Sequence, residues 1–528
     1  MIYRDDGNMR IIHGDCRHMT ELPDNSVHCV VTSPPYWGLR KYAGEQELVW
    51  GGDEECKHSW REERNVKRGH PGDKSTLVGS QTADHSKKAS NRGTTCSLCG
   101  AWRGGFGLEP TIELYIKHSV EVLREIRRVL RKDGVCWYNV GDSYAGSGKG
   151  LGSNGTDGGS GTINDISLKL LDLCLIPERL PLAFQADGWC VRSMVIWNKP
   201  NPMPESVNGW RWEQHRVKIK GRDIRKQKAG IEATEQLGNS WPDNKGGVFV
   251  QMAEFQDCPG CPKCSPNDGL ILRKGNWRPT DSYEHILMLT KTDSYYCDME
   301  EVREKGVYPA GEFRSGGDEH KSLKAGNRTT EGLHNKNWVS SGGRNLRNVW
   351  TFPTHGYSGA HFATFPEKLP EICIKASTPE YGVCSKCGSP WVRVIEKILG
   401  PPSSWNGSKF DDGKNLEVHP NVGRREDAKT ETLYQEGTTA KRLALLRQQA
   451  RENGGEYVNE RKTLGWRASC ECGIDERIPA TVLDPFMGSG TTLSVAKRLG
   501  RRSIGYDISI DYAPMANDRV GHPTMELI

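Results

Sequence analysis

The sequence predicts an α/β protein whose buried strands end in ligand-binding loops, and three observations carry that reading. Ala480–Leu483 is a short apolar run with β-branched residues that stops at Asp484 and enters Pro485-Phe-Met-Gly-Ser-Gly-Thr-Thr492. Val27–Thr32 is a second such run, and it stops at Ser33-Pro34-Pro35-Tyr36. Between them Ile112, Tyr115, Ile116, Leu123, Ile126 and Leu130 follow helical spacing.

Val27–Thr32 reads as a strand followed by a rigid loop, because Pro34 and Pro35 fix φ and remove two backbone donors. Carbonyl groups there are left to accept hydrogen bonds from a ligand, and Tyr36 offers a flat face for a planar ring. The helical stretch over 112–130 is expected to end at Gly134, with Val135–Val140 the next strand and Met194–Trp197 another. Asp484 closes the later strand at its carboxyl end, where open α/β sheets bind ligands. Gly488 and Gly490 permit a tight turn and the close approach of a ligand. Thr491 or Thr492 is expected to cap a helix over Leu493–Leu499, whose N-terminus favours an anionic group such as a carboxylate. Ser503–Tyr506 then forms a strand ending at Asp507, an acidic residue about 20 positions after a glycine loop and so placed for ribose hydroxyls.

The two loops resemble those of the beta group of S-adenosylmethionine-dependent DNA amino-methyltransferases, in which the catalytic motif comes first and the cofactor motif last. Further matching blocks are Asp15-Cys16, Leu130-Arg-Lys-Asp-Gly-Val-Cys-Trp-Tyr-Asn-Val-Gly-Asp-Ser-Tyr144, Trp197-Asn-Lys-Pro-Asn-Pro202, Asp281-Ser-Tyr-Glu-His285 and His361-Phe-Ala-Thr-Phe-Pro-Glu-Lys-Leu369. The resemblance implies a doubly wound, Rossmann-like methyltransferase sheet, base flipping, and direct transfer of a methyl group from the sulfonium to an exocyclic nitrogen. By the same resemblance Ser33, Pro34, Pro35 and Tyr36 hold the flipped base. Asp484, Pro485, Phe486, Gly488, Gly490 and Thr491 line the methionine end of the cofactor, and Asp507 takes the ribose. Phe365 lies near the adenine, and Asp15 touches the cofactor. Ser-Pro-Pro-Tyr after a threonine is more typical of N4-cytosine enzymes, with N6-adenine the alternative.

The expected organisation is a catalytic half over 1–202 with an insertion at about 56–105, then a target-recognition insertion over 203–280. Residues 281–383 return to the sheet, 384–472 form a zinc-ribbon-like insertion, and 473–528 form the cofactor half. With 528 residues, 35% hydrophobic content and 60 glycines, much of the length is polar insertion rather than core. Residues 61–95, 305–345 and 400–462 have that character, and Gly146–Gly161 holds eight glycines, as expected of a mobile loop beside the catalytic site. The net charge of +5 is mild, so binding to double-stranded DNA must come from a local patch. Residues 211–228 supply one, with eight Lys or Arg against Glu213 and Asp223. Its expected DNA contacts are Trp210, Arg211, Trp212, Arg216, Lys218, Lys220, Arg222 and Arg225. A merely solvated charged face is the alternative.

The 17 cysteines point to a reducing compartment or to metal, because they cluster in pairs. Cys56, His58, Cys96 and Cys99 make one quartet with zinc spacing, and Cys384, Cys387, Cys470 and Cys472 another. Cys258, Cys261 and Cys264 form a triplet expected to bind zinc with a distant fourth ligand, since an iron–sulfur run lacks its next cysteine here. No signal peptide or membrane-spanning run is present, so a cytoplasmic protein is expected. A carbon-5 cytosine methyltransferase is excluded, because its cysteine nucleophile usually follows proline and no Pro-Cys pair occurs. A zinc-dependent DNA-binding protein without catalysis would not need the two loops. RNA or protein amino groups stay open as acceptors. No nuclease motif is evident, so a restriction endonuclease would be a separate partner, and the oligomeric state is left open.

Overall fold

In the computed structural model, residues 1–38, 46–62, 94–145, 168–169, 171–202, 209–218, 255–305, 313–314, 338–339, 343–354, 364–398 and 460–521 are described. Met1–Pro200 together with Tyr283–Ile528 make one compact unit, and Asn201–Ser282 make a second. Nine strands form the main sheet of the first unit: β1 (Ile2–Asp5), β2 (Met9–His13), β3 (Val27–Thr32), β4 (Leu130–Val140), β5 (Cys190–Asn198), β6 (Tyr283–Thr290), β7 (Val349–Thr351), β8 (Thr481–Asp484) and β9 (Arg502–Asp507). Their order is β1-β2-β9-β8-β3-β4-β6-β5-β7. The five strands β2, β9, β8, β3 and β4 are mutually parallel. β1 and β6 run antiparallel to their neighbours, so the sheet is mixed rather than wholly parallel.

Helices α1 (Ile112–Val129), α2 (Ile176–Ala186), α3 (Lys368–Ser377), α4 (Thr491–Arg498) and α5 (Tyr512–Gly521) accompany it. The apolar run of β3 is explained by burial on both faces. Val27 and Val30 join the core shared with α1 and α2, and Cys29 and Val31 join the core shared with α3 and α4. Thr111 caps α1 by accepting from the Leu114 N–H at 3.3 Å, and the helix buries Tyr115, Val122, Leu123 and Ile126. Each such side chain contributes roughly 1.5–3 kcal/mol of transfer free energy. The helix does not reach Gly134. It stops at Leu130, whose extended backbone already begins β4, and Gly134 lies inside that strand. A Cβ at Gly134 would sit 2.9 Å from the His28 carbonyl oxygen, so glycine serves strand packing there and not helix termination.

From β8 the chain winds through α4 to β9 on one side, and from β3 through α1 to β4 on the other. The winding therefore reverses between the adjacent strands β8 and β3, whose carboxyl ends form the crevice where open α/β sheets bind ligands. A separate four-stranded antiparallel sheet joins Leu48–Trp50, Trp102–Gly104, Thr94–Cys96 and Trp60–Glu62. Trp391–Ile398 pairs antiparallel with Glu460–Ala468.

Among its described residues the second unit holds two short antiparallel pairings, Trp210–Gln214 with Leu270–Lys274 and Arg216–Lys218 with Phe255–Asp257. The glycine-rich loop at Gly146–Gly161, the side chain of Lys218, the residues Lys220, Arg222 and Arg225, and most of 61–95, 305–345 and 400–462 lie outside the described residues. No helix among the described residues is long and apolar enough to cross a membrane.

Candidate active site and metal centres

The two loops that the sequence singles out meet at the reversal point. Thr32 Oγ1, the last residue of β3, donates a 2.7 Å hydrogen bond to Asp484 Oδ1, the last residue of β8. Asp484 also accepts from the Phe486 N–H at 3.1 Å, which folds the loop back over the strand end. Burial pushes its carboxyl up to about 6, while bonds from Thr32, Thr492 and Phe486 pull it down.

Gly488 and Gly490 both adopt left-handed backbone, with φ of +48° and +77°. Their surroundings differ. A Cβ on Gly488 would meet nothing within 4 Å, whereas one on Gly490 would lie 2.9 Å from Ala516 Cα in α5. Gly490 therefore serves packing of the loop on α5, and Gly488 faces open space. The cap of α4 also differs from expectation. Gly490 is the N-cap and no side chain caps the helix. The Thr491 hydroxyl instead accepts from buried Arg519 Nη1 at 2.7 Å, and the Thr492 hydroxyl donates to the Val31 carbonyl at 3.3 Å. Arg519 also holds Ser489 and Glu367, so the rim of the loop is fixed from α5 and the start of α3.

Asp507 ends β9 beside this loop. Its carboxylate accepts from the Gly488 N–H at 3.0 Å and the Ser509 N–H at 2.9 Å. Burial pushes it up to about 7 against those bonds. The Asp507 carbonyl accepts from Gly14 N–H, which brings the turn containing Asp15 alongside. Asp15 itself is gripped by Arg17, with Nη2 2.6 Å from Oδ2, and the guanidinium lies 4.0 Å over the Trp50 ring. Phe365 is half-buried against the core under α3 and α4. Phe486 packs on the opposite core and stacks on Phe106 at 5.7 Å.

Tyr36 lies at the centre of a polar network that the sequence blocks contain without assigning. Its hydroxyl donates to Glu284 Oε2 at 2.7 Å and accepts from Asn139 Nδ2 at 2.7 Å and from Ser33 Oγ at 3.1 Å. Asn139 Nδ2 also reaches Glu284 at 2.8 Å, and Lys199 forms an ion pair with Glu284. These side chains come from β4, the end of β5 and β6, so their strand pairing brings them together. A Cβ on Gly141 would lie 2.9 Å from Tyr36 Cε2, so glycine there lets the ring sit flush against the backbone. The Pro35 carbonyl is occupied, because it accepts from Tyr115 Oη at 3.0 Å.

Behind the Ser33–Tyr36 loop a buried pair anchors the first insertion. The Trp37 indole N–H donates to the Glu109 carbonyl at 2.9 Å, and Glu109 Oε1 lies 3.0 Å from His118 Nδ1. Burial pushes Glu109 up to about 8 and His118 down to about 3, so the pair is carried as a neutral acid and a neutral imidazole. His118 stacks on Trp50 at 4.4 Å. Single-sequence reading had no signal for this contact, since Glu109 precedes the helix and His118 interrupts its apolar face.

Three groups of potential metal ligands each hold their donor atoms within 4.8 Å of one another. Two are the quartets expected from the sequence, Cys56/His58/Cys96/Cys99 and Cys384/Cys387/Cys470/Cys472. In the first, Cys56 and Cys96 sulfurs are 4.0 Å apart and Cys99 Sγ is 3.4 Å from His58 Nδ1. The third joins the central triplet to His215, a ligand the sequence reading did not name. None of the 17 cysteines forms a disulfide.

In the second unit Trp210 and Trp212 are exposed. The cations are not solitary. Arg211 and Arg273 both pair with Glu213, and Arg216 pairs with Asp257. Such exposed pairs are worth about 0–1 kcal/mol.

A family model described as DNA methylase, of the N6/N4 amino-methyltransferase kind, matches residues 27–385 and 478–518. The Type II methyltransferase M.Cfr9I of Citrobacter freundii is 26% identical over 365 residues, spanning 68% of this chain and 69% of its own. M.SfiI of Streptomyces fimbriatus is 22% identical over 532 residues, spanning 94% of this chain and 87% of its own. Among solved structures, the PvuII DNA methyltransferase (cytosine-N4-specific) aligns with a TM-score of 0.38 and 11% identity over 99% of this chain and 88% of that one. The matched residues include the whole of β3 and its loop, the Tyr36 network, and the β8–β9 loop with Asp484 and Asp507; the chain belongs to the DNA methylase family of N6/N4 amino-methyltransferases.

Proposed function

We propose that the protein is a site-specific DNA methyltransferase that transfers a methyl group from S-adenosylmethionine to the N4 amino group of a flipped cytosine. The observation that carries the reading is the Thr32–Asp484 hydrogen bond, which joins a base-holding loop and a cofactor loop across one crevice. The residues fit the cofactor. Gly488 faces space that no side chain fills, and Asp507 offers carboxylate oxygens at the neighbouring strand end. Bound there, S-adenosylmethionine supplies an electrophilic methyl group.

Ser33 and Pro34 supply the acceptors for the base amino group, since the Pro35 carbonyl is already engaged by Tyr115. Gripping that group orients its nitrogen lone pair toward the methyl carbon, and Tyr36 stacks on the ring. The transfer would form an N–C bond and break the S–C bond, the sulfur keeping that electron pair as a neutral thioether and the nitrogen releasing one proton to solvent. Asn139, Glu284 and Lys199 act as positioning residues for Tyr36. Cys16 and Cys29 take no part, because burial pushes both thiols up and away from the nucleophilic thiolate. Serine rather than aspartate at the head of the loop favours cytosine. The carboxylate of Glu284 beside Tyr36 is the feature that fits the second reading, N6-adenine.

The two sequence-predicted quartets each hold a structural zinc ion in this reading, stapling polar insertions to the first unit. Residues 203–280 act in target recognition on double-stranded DNA. Relatives named as Type II methyltransferases favour a place in a restriction–modification system with a separate endonuclease, working in the cytoplasm.

Mass analysis of nucleosides from plasmid DNA treated with the purified protein tests the reaction. N4-methylcytosine is expected. N6-methyladenine alone would replace the cytosine reading, and 5-methylcytosine would overturn both. A pH series tests the cofactor site. Ribose hydroxyls donate to the ionised Asp507 carboxylate, and its free-state value is about 7. Binding therefore releases a proton below that value and strengthens as pH rises. Calorimetric affinity is expected to grow roughly tenfold from pH 6 to pH 8. The apo protein should move the other way. Both carboxylates sit above their unfolded values, so their cost to stability grows as pH rises from the unfolded range near 4 toward 6–7. A flat affinity profile would remove Asp507 from the ribose site.

A further inference from the structure

We infer that the unit Asn201–Ser282 is a zinc-nucleated module with His215 as the fourth ligand beside Cys258, Cys261 and Cys264, and that this ion holds an exposed tryptophan hairpin in the shape that meets DNA. The metal half stands on the ligand geometry alone. The DNA half rests on the recognition role proposed above.

Zinc–sulfur bonds of about 2.3 Å and zinc–nitrogen bonds of about 2.0–2.1 Å give tetrahedral edges of roughly 3.8 Å between sulfurs and roughly 3.5 Å between sulfur and nitrogen. The site shows Cys261 Sγ 3.6 Å from Cys264 Sγ and 3.4 Å from His215 Nδ1. All four donor atoms lie within 4.8 Å of one another, a spacing set by one ion, whereas an iron–sulfur cluster separates its ligands further. Three thiolates and an imidazole select zinc over oxygen-seeking magnesium or calcium. The backbone around the ligands supports this. The Cys264 N–H donates to the Cys261 carbonyl at 3.0 Å, and Gly260 at φ +118° makes the turn.

The surroundings give the cluster its purpose. Among the described residues of this unit only Cys264 is buried, and none belongs to an apolar core. So little apolar burial among these residues leaves their ordering to be offset by a staple. The ligands also lie where they control the hairpin. His215 follows directly on the strand Trp210–Gln214, and Cys264 leads through a short 3-10 turn into its partner Leu270–Lys274. The His215 N–H donates to the Gly269 carbonyl at 2.9 Å and its carbonyl accepts from Cys258 N–H at 2.7 Å. A lone two-stranded hairpin is marginal in water, so its shape depends on that base. The face it presents carries Trp210 and Trp212, 68% and 52% exposed, opposite Lys274 and Leu272. Aromatic faces beside a cation suit stacking on bases with phosphate contact.

The test is elemental analysis of the full chain, with calorimetric binding of S-adenosylhomocysteine and anisotropy titration against sonicated genomic duplex DNA. Wild type is expected to carry about three zinc ions, one per ligand group, His215→Ala about two, and His215→Cys about three. His215→Ala should bind DNA roughly tenfold more weakly with cofactor-product binding unchanged, and His215→Cys should restore the DNA affinity. Equal zinc in wild type and His215→Ala would overturn the ligand assignment. Loss of one zinc with unchanged DNA affinity would overturn the role of the hairpin. Should His215→Ala fail to fold, cobalt substitution decides: His215→Cys must show stronger thiolate-to-cobalt charge transfer than wild type, and an identical spectrum would exclude position 215 from the ion. Failure of wild type to bind S-adenosylhomocysteine would count against the proposed reaction instead and leave the metal result intact.

Discussion

Tyr36→Ala is expected to lower single-turnover methyl transfer by on the order of 10–100-fold, because stacking on an extruded base is worth about 1–3 kcal/mol. Cofactor binding should hold, since Asp484 and the glycine loop keep their own bonds to Thr32, Phe486 and Asp507. The hydroxyl network separates two contributions. Tyr36→Phe keeps the flat face but drops the bonds to Glu284 and Asn139. It should therefore lose less than Tyr36→Ala, and Glu284→Gln should resemble Tyr36→Phe. Both should raise the DNA concentration needed for half-maximal rate more than they lower the limiting rate if they act by positioning. A Tyr36→Phe protein as slow as Tyr36→Ala would shift the assignment from stacking to the hydroxyl. A Tyr36→Ala protein of normal rate would remove Tyr36 from the base site.

Gly490→Val is expected to disrupt the protein, and Gly488→Ala to disrupt only its cofactor binding. At Gly490 a side chain must take φ near +77° and drive into Ala516 of α5 at 2.9 Å. Left-handed backbone costs roughly 1–2 kcal/mol and overpacking roughly 1–3 kcal/mol more. Together they should lower the melting temperature by on the order of 5–15 °C. This departs from the simpler expectation that a side chain here merely fills the ligand space. At Gly488 the backbone cost remains, but the Cβ enters open space. Thermal melts should then fall by only a few degrees, while calorimetric affinity for S-adenosylmethionine drops roughly tenfold or more through the lost approach to the ligand. A Gly488→Ala protein with wild-type affinity would show that the cofactor does not pass over this residue.

The strand ends were legible because their signals are local. Val27–Thr32 matches β3 residue for residue, since a strand buried on both faces is mostly apolar and the prolines after it forbid its continuation. Asp484 and Asp507 end β8 and β9 as read, for the same reason. Where competing local signals existed, the reading slipped. Gly134 looks like a helix stop, yet α1 ends four residues earlier because β4 pairing claims Leu130. Thr491 looks like a cap, yet Arg519, distant in sequence, engages its hydroxyl.

The order of motifs, the rigid loop, the glycine loop and the close-spaced pairs of the two cysteine quartets follow from residue type and spacing within short windows. The union of Thr32 with Asp484, the convergence of Asn139, Lys199 and Glu284 on Tyr36, the neutral Glu109–His118 pair and the fourth ligand His215 do not. Each joins residues from separate elements or distant turns. Sheet order and hairpin register bring them within bonding distance, and neither periodicity nor spacing encodes which strand lies beside which.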